Sequence, residues 1–262
     1  MIRVGIGGWV YEPWRGTFYP KGLPQVRELA HASRSLTSIE INSTFYASQK
    51  AASFRRWAAE TPDDFVFSLK GPRYTTHRRV LAEAGSSIER FFASGITELK
   101  HKLGPVLWQL PPTKAFNPDD FAAFLAFLPR SLDGLTIRHA VEVRHASFMT
   151  PDFIALLRKH AVAPVLVDSD KHPMIADVTS DFVYARLQRT TEKMRTGYPP
   201  AALDTWAKRA QAFANGDAPA DLATLAAMPR SKGKRDVFIY MISGAKVRAP
   251  AAAMALIERL ND

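Results

Sequence analysis

Short runs rich in β-branched and aromatic residues recur along the 262-residue chain, and between them apolar positions fall at helical spacing. Eight runs read as strands: Arg3 to Gly7, Ser38 to Asn42, Phe65 to Lys70, Pro105 to Leu110, Ala140 to Arg144, Pro164 to Asp168, Phe182 to Leu187 and Asp236 to Met241. Helix start signals lie between them. In "NPDDFAAFLAFL", Asn117 stands as the cap, Pro118 at the first position, and Asp119 and Asp120 in the first turn. "TPDFIALLRKH" repeats that arrangement with Thr150 and Pro151, and "SQKAASFRRWAAE", "SSIERFFASGITELK", "PAALDTWAKRAQAF" and "PAAAMALIERL" fill other gaps. The link 169–181 is too short for a full helix, whereas 215–235 is long enough to hold an extra one. Strand and helix alternating in this way predict an α/β fold: a parallel, eight-stranded (β/α)8 TIM-type barrel, with an open doubly wound sheet as the alternative. The expected organisation is a single domain over 1–262, with an extended loop and helix insertion around 188–235.

Side-chain parity separates the two architectures, because successive residues of a strand face opposite sides. One parity is nearly all apolar: Val4 and Ile6; Ile39 and Ile41; Phe67 and Leu69; Val106, Trp108 and Leu110; Val141 and Val143; Val165 and Val167; Ala185 and Leu187; Val237, Ile239 and Met241. That face is expected to pack on helices. The other parity turns polar toward the strand ends: Trp9, Glu40 with Asn42, Ser68 with Lys70, Gln109, Glu142 with Arg144, Asp168, Tyr184 with Arg186, and Tyr240. An open sheet would bury those charges under helices, whereas a barrel gathers them at its C-terminal mouth, where barrel enzymes place their chemistry.

The segment "GIGGWVYEPWRGTFYP" has glycines at 5, 7 and 8 after a strand, yet Val10 stands where a dinucleotide turn needs its third glycine. Crowding at a strand end is the remaining explanation for these glycines. Lys and Arg outnumber Asp and Glu, 35 to 25, giving a formal charge of +10, so anionic partners are favoured in general. The cations are spread along the chain, the densest run being "RSKGKR" at 230–235. The absence of cysteine rules out disulfides, thiolate metal sites and a cysteine nucleophile. With no long apolar run and no leader-like start before "IRVGI", a cytoplasmic protein without a membrane partner is expected. Oligomeric state is left open.

The strand ends also carry the words "GGWVYEPWRGTFYP", "SIEINSTFY", "FVFSLKGPRYTTH", "LGPVLWQLPP", "AVEVRHASF" and "FVYARL". In that order they resemble the DUF72 family, also called YecE-like proteins. The match runs from about Gly5 to Leu187 and continues more weakly through "YPPAALDTWAKRA" and "PAAAMALIERL". The resemblance implies a TIM-type barrel and a family without an established activity. Its recurring polar positions fall on Trp9, Glu40, Asn42, Lys70, His77, Gln109, Glu142, Arg144 and Arg186. Many members end the eighth strand with an Asn-containing word, where this chain has "YMISGAKVRAP", with Ser243 the candidate replacement.

Three chemistries compete for this mouth. Glycoside hydrolysis needs two carboxylates, for which Glu40, Glu142 and Asp168 are available, and Trp9, Trp14, Phe45 and Tyr46 offer rings for stacking. A divalent metal could draw on Glu142, Asp168 and His145, with His77 nearby, but no HxH or HExxH spacing supports it, and no cofactor is expected. Anion binding collects the most signals. Lys70, Arg144 and Arg186 share the mouth parity, Arg189, Lys193 and Arg195 follow the seventh strand, and Ser243, Gly244, Lys246 and Arg248 precede a helix that Pro250 would start. The expected activity is therefore hydrolase-like acid-base chemistry on an anionic, phosphate-containing small molecule or nucleic-acid end. Glu142 is expected as general base or acid, with Glu40 as second carboxylate and Asp168 and Lys70 beside them. Trp9, Asn42, Tyr46, His77, Gln109, Arg144, Arg186, Tyr240, Ser243 and Lys246 are the expected substrate-binding residues. Lys70 as a Schiff-base former is a further option, weakened if an ion pair keeps it protonated. The alternatives are a nucleic-acid-binding barrel without turnover and a glycoside-processing enzyme.

Overall fold

The computed structural model describes residues 1–227 and 233–261, so part of the basic run at 230–235 lies outside the described residues. The eight barrel strands are β1 (Ile2–Gly7), β2 (Ser38–Ile41), β3 (Val66–Lys70), β4 (Leu103–Gln109), β5 (His139–Glu142), β6 (Ala163–Asp168), β7 (Phe182–Leu187) and β8 (Asp236–Met241). All pair in parallel and close in sequence order, with β8 returning to β1 through Ile2↔Val237 to Ile6↔Met241. This is the (β/α)8 barrel. Among the described residues, seven helices of eight or more residues alternate with the strands: α1 (Glu28–Ser35), α2 (Ala51–Glu60), α3 (Gly85–Phe92), α4 (Pro118–Ala126), α5 (Pro151–His160), α6 (Pro200–Ala214) and α7 (Ala249–Asn261). The β6–β7 link has no helix, as its length predicts.

Local chemistry sets the element ends. Asn117 Oδ1 accepts from the Asp120 amide at 3.0 Å to start α4, and Thr150 Oγ1 accepts from the Phe153 amide at 3.3 Å to start α5. Gly5 in β1 is required by close approach, since a Cβ there would lie 1.9 Å from the Ser38 carbonyl oxygen of β2. Between α4 and β5, Ser131–Leu132 and Leu135–Thr136 form a small antiparallel hairpin around Asp133 and Gly134, both at positive φ.

The apolar parity packs outward as expected on seven strands, forming the layer between sheet and helices. Strand β6 is the exception. Its Val167 pairs with Arg186 and its Asp168 with Leu187, so Val165 and Val167 face the barrel interior with Leu107, Tyr184 and Phe238, while Leu166 faces the helices. Neighbours in parallel register share a face, and Asp168 therefore leaves the mouth set. Before Asp168 its stretch "PVLV" is apolar on both faces, so polarity could not fix the parity.

The expected extra helix beyond Ala214 does not form among the described residues. Instead Asp177 accepts the Leu225 and Ala226 amides at 2.9 Å each, holding an irregular course of turns and bends against the core. Among the described residues no helix is long and apolar enough to cross a membrane.

Candidate functional site

Inside the barrel, apolar side chains of β3 to β8 fill the lower half, and above them the interior turns polar. Tyr240 is fully buried and reaches Ser38 Oγ at 2.7 Å, which places it beneath the mouth and removes it from the expected binding set. Tyr184 donates to Glu40 Oε2 at 2.7 Å. Arg186, at the end of β7, donates from Nε and NH2 to the two Glu40 oxygens at 3.1 and 3.0 Å and from NH1 to Glu142 Oε2. Glu142 Oε1 accepts from Gln109 Nε2 at 2.9 Å and from Arg144 Nε at 2.8 Å. Gln109 then presents Oε1 to Lys70 Nζ at 2.8 Å. One connected network thus links the ends of β2, β3, β4, β5 and β7.

The arrangement fixes the electrostatics. Burial alone would push the Glu142 carboxyl up, but the charges of Arg186 and Arg144 and their hydrogen bonds overcome it and hold the group down at about 2. Glu142 is fully buried with both oxygens engaged, so it serves as an anchor for the arginines and is poorly suited to the proton transfer expected of it. Glu40 is equally buried and is held by Arg186 and Tyr184.

Lys70 differs from both. No carboxylate lies within ion-pair distance of it among the described residues; its ammonium faces the Gln109 carbonyl and sits 3.8 Å from the Phe45 ring centroid. Burial, then the charge of Arg186, lowers its pKa to about 8, against the opposing pull of Glu40 and Glu142.

Above this network opens a cavity of about 470 Å³, lined by Trp9, Asn42, Tyr46, Lys70, Gln109, Arg144, Arg186, Ser243 and Lys246 of the expected set. Glu40 and Glu142 do not line it; they form the layer behind the arginines. Gly7, Gly8, Ser43, Trp14 and the first residue of α7, Ala249, also line it, with Val10, Ile41, Met241 and Ile242 as its apolar part. Lys246 Nζ stands 4.4 Å from the Tyr11 ring centroid and its carbonyl accepts from Trp14 Nε1 at 3.0 Å, so the first and last loops meet at the rim. Ser243 holds its rim position in a left-handed conformation, φ 66.

Three expected residues stand apart from the cavity. His77 is exposed beyond it, packed edge-on to Phe45 at 5.6 Å, and burial with the charge of Arg73 lowers its pKa. Asp168 accepts from Tyr198 OH at 3.0 Å and faces Arg189 at 3.6 Å on the outer side. His145 Nδ1 meets Ser147 Oγ at 2.8 Å, turned to its own loop. The Glu142, Asp168 and His145 set is therefore not assembled, and no group of three or more metal-ligating side chains occurs among the described residues.

Sequence reasoning missed two contacts at the mouth. Phe45 was read only as a stacking ring, although the word "NSTFY" places it one short helical turn from the strand that faces Lys70. His172, on the β6–β7 loop, lies close enough to Arg144 and Glu142 to feel both charges, and nothing in its sequence neighbourhood marks it.

A parallel barrel whose mouth is built from a buried arginine–carboxylate network and a cation-lined cavity defines the class. The chain belongs to the family described as "Protein of unknown function DUF72", whose model matches residues 3–262. It is similar to the UPF0759 protein YunF of Bacillus subtilis (strain 168), 29% identical over 158 residues, which is 58% of this chain and 54% of that protein, so the matched stretch spans about half the length of that relative. Among solved structures it resembles the DUF72 family protein TM1631 of Thermotoga maritima MSB8, at TM-score 0.79 and 22% identity over the whole of both chains. It also resembles the DUF72 family protein EF0366 of Enterococcus faecalis V583, at TM-score 0.72 and 16% identity over all of this chain and 96% of that one. At those identities the likeness to solved structures concerns the fold.

Proposed function

We propose that the mouth receives a small anionic ligand, with phosphate as the group it fits best, and that the protein acts on that ligand as an enzyme through acid-base chemistry. The observation that carries this is the sign of the lining: every charged side chain on the described wall of the cavity, Lys70, Arg144, Arg186 and Lys246, is a cation. The donors are also available. Arg186 commits three of the five N–H groups of a guanidinium to carboxylates, and Arg144 commits only Nε–H among the described residues. Lys70, rather than Glu142, is the titratable side chain placed for chemistry, because it lines the cavity and its pKa is lowered toward neutral pH.

Concentration of the cations within a 470 Å³ recess favours a small molecule over a strand of nucleic acid. Outside the recess, Arg189 is paired with Asp168 at 3.6 Å and Asp170 at 3.3 Å. A glycosidase mechanism lacks a carboxylate on the cavity wall among the described residues, although Trp9, Trp14 and Tyr46 are there to stack.

Thermal unfolding in phosphate and in chloride at matched ionic strength tests the proposal. Phosphate at a hundred times its Kd stabilises the native state by about 2.7 kcal/mol. The wild type is expected to gain from phosphate, and Arg144→Ala and Lys246→Ala to lose most of that gain. An equal gain in all three proteins would reject the anion site.

A further inference from the structure

We infer that Lys70 is a nucleophile that forms a Schiff base with an aldehyde or ketone carrying a phosphate or carboxylate group. The inference rests on the anion-binding reading of the mouth and names the substrate class for it. Four features of the site converge on this amine. Lys70 ends β3 on the inner face of the barrel, it is buried, and it is nevertheless one of the residues that line the cavity. The two nearby carboxylates are taken: Glu40 by Arg186 and Tyr184, Glu142 by Arg186, Arg144 and Gln109. The amide of Gln109 is oriented by Glu142, which can only accept from it, so its Oε1 must face Lys70 and holds the amine in one position. The face of Phe45 excludes water from one side of Nζ.

A desolvated lysine beside other cations is the arrangement that frees an amine at neutral pH. Glu40 and Glu142 oppose the effect, and Arg186 and Arg144 reinforce it; the net pKa is about 8 against the ordinary 10.5. At pH 7 that difference raises the unprotonated share roughly 300-fold over an ordinary lysine. A lysine tied to a carboxylate would forfeit this, which is why the ownership of Glu40 and Glu142 by arginines decides the matter.

The step balances without an oxidant or reductant. The Nζ lone pair attacks the carbonyl carbon and the carbonyl π electrons move to oxygen. A nitrogen proton then passes to that oxygen, giving a neutral carbinolamine. The hydroxyl takes one further proton and leaves as water while the nitrogen lone pair forms the C=N bond, giving a protonated imine. An ammonium and a carbonyl have become an iminium and a water. Arg144 and Lys246 lie on the same wall to hold the anionic end of the substrate.

Reductive trapping of the wild-type protein tests this. Glycolaldehyde phosphate and glycolaldehyde, each with cyanoborohydride at pH 7.5, are compared by peptide mass spectrometry, with Lys246 as the comparison lysine at the same cavity. The expected result is an adduct on Lys70 that forms at least about 10-fold faster than on Lys246. It should form faster with the phosphorylated aldehyde than with the neutral one, and excess inorganic phosphate should suppress it. Lys70 left unmodified while phosphate still stabilises the fold in an Arg144-dependent manner would overturn the Schiff base and leave the anion pocket intact. Lys70 modified equally by both aldehydes and indifferent to phosphate would support the amine and reject the anion subsite on which its substrate class depends.

Discussion

At the residue scale, Arg186 is the side chain on which the mouth depends. It is buried between two buried carboxylates and pairs with both, sharing Glu142 with Arg144. Removing one partner of a buried ion pair leaves uncompensated charge and costs about 3–5 kcal/mol. Arg186→Ala is therefore expected to lower the free energy of unfolding by that amount, and adding Glu40→Gln with Glu142→Gln should restore part of it; urea denaturation of both variants checks this. Lys70 makes the opposite prediction. Below about pH 8 both folded and unfolded chains hold its proton, and the folded chain bears the burial of the cation. Between about 8 and 10.5 the folded chain has released the proton and the unfolded chain has not, so stability rises with pH across that window. Lys70→Met should consequently stabilise the protein at pH 7 by about 1–3 kcal/mol in anion-free buffer, with the advantage shrinking as pH rises through the window. Stability curves of the two proteins at pH 7 and pH 10 measure it. A site residue whose removal stabilises the fold is the mark of a group kept for chemistry. Most of this set was legible because inward parity exposes itself as polarity at a strand end. The division of labour was not legible: nothing in the order of residues says that Arg186 and Arg144 would claim Glu142 and leave Lys70 without a carboxylate.

At the element scale, the eight strands lie where β-branched runs place them, with ends displaced by at most two residues, and the capped helices α4 and α5 start at Pro118 and Pro151 as their sequences dictate. Strand β6 escaped because parity needs contrast between faces, and "PVLV" has none; only the pairing of Val167 with Arg186 fixes it. The Asp133–Gly134 hairpin was readable in principle, since Asp-Gly favours two consecutive residues at positive φ. The first glycine segment was readable only by exclusion: it is no phosphate loop, and Gly5 exists so that β1 can lie against β2. Gly5→Ala brings a methyl carbon to 1.9 Å from the Ser38 carbonyl oxygen, so the strands must separate. A loss of about 3 kcal/mol or more is expected, together with faster amide exchange along β1 and β2, and hydrogen exchange by mass spectrometry reads both.

At the scale of the whole molecule, the barrel converts a diffuse excess of cations, +10 over the full chain, into a local field at one recess. Closure of the sheet brings residues from β3, β4, β5 and β7 to the cavity wall, with the β1 and β8 loops folded over them. Charge composition alone favoured anionic partners in general and did not single out nucleic acid. The difference lies in where the folded chain puts the uncommitted donors, and that is a property of the closed barrel. The most direct test is to locate an anion. Crystals grown in chloride and soaked in selenate, a phosphate-like oxyanion with an anomalous signal, should show a peak in the mouth within hydrogen-bond distance of Arg144 and Lys246, and soaking with excess phosphate should displace it. Selenate found only on exposed surface lysines, with the mouth empty of it at the same concentration, would contradict the account.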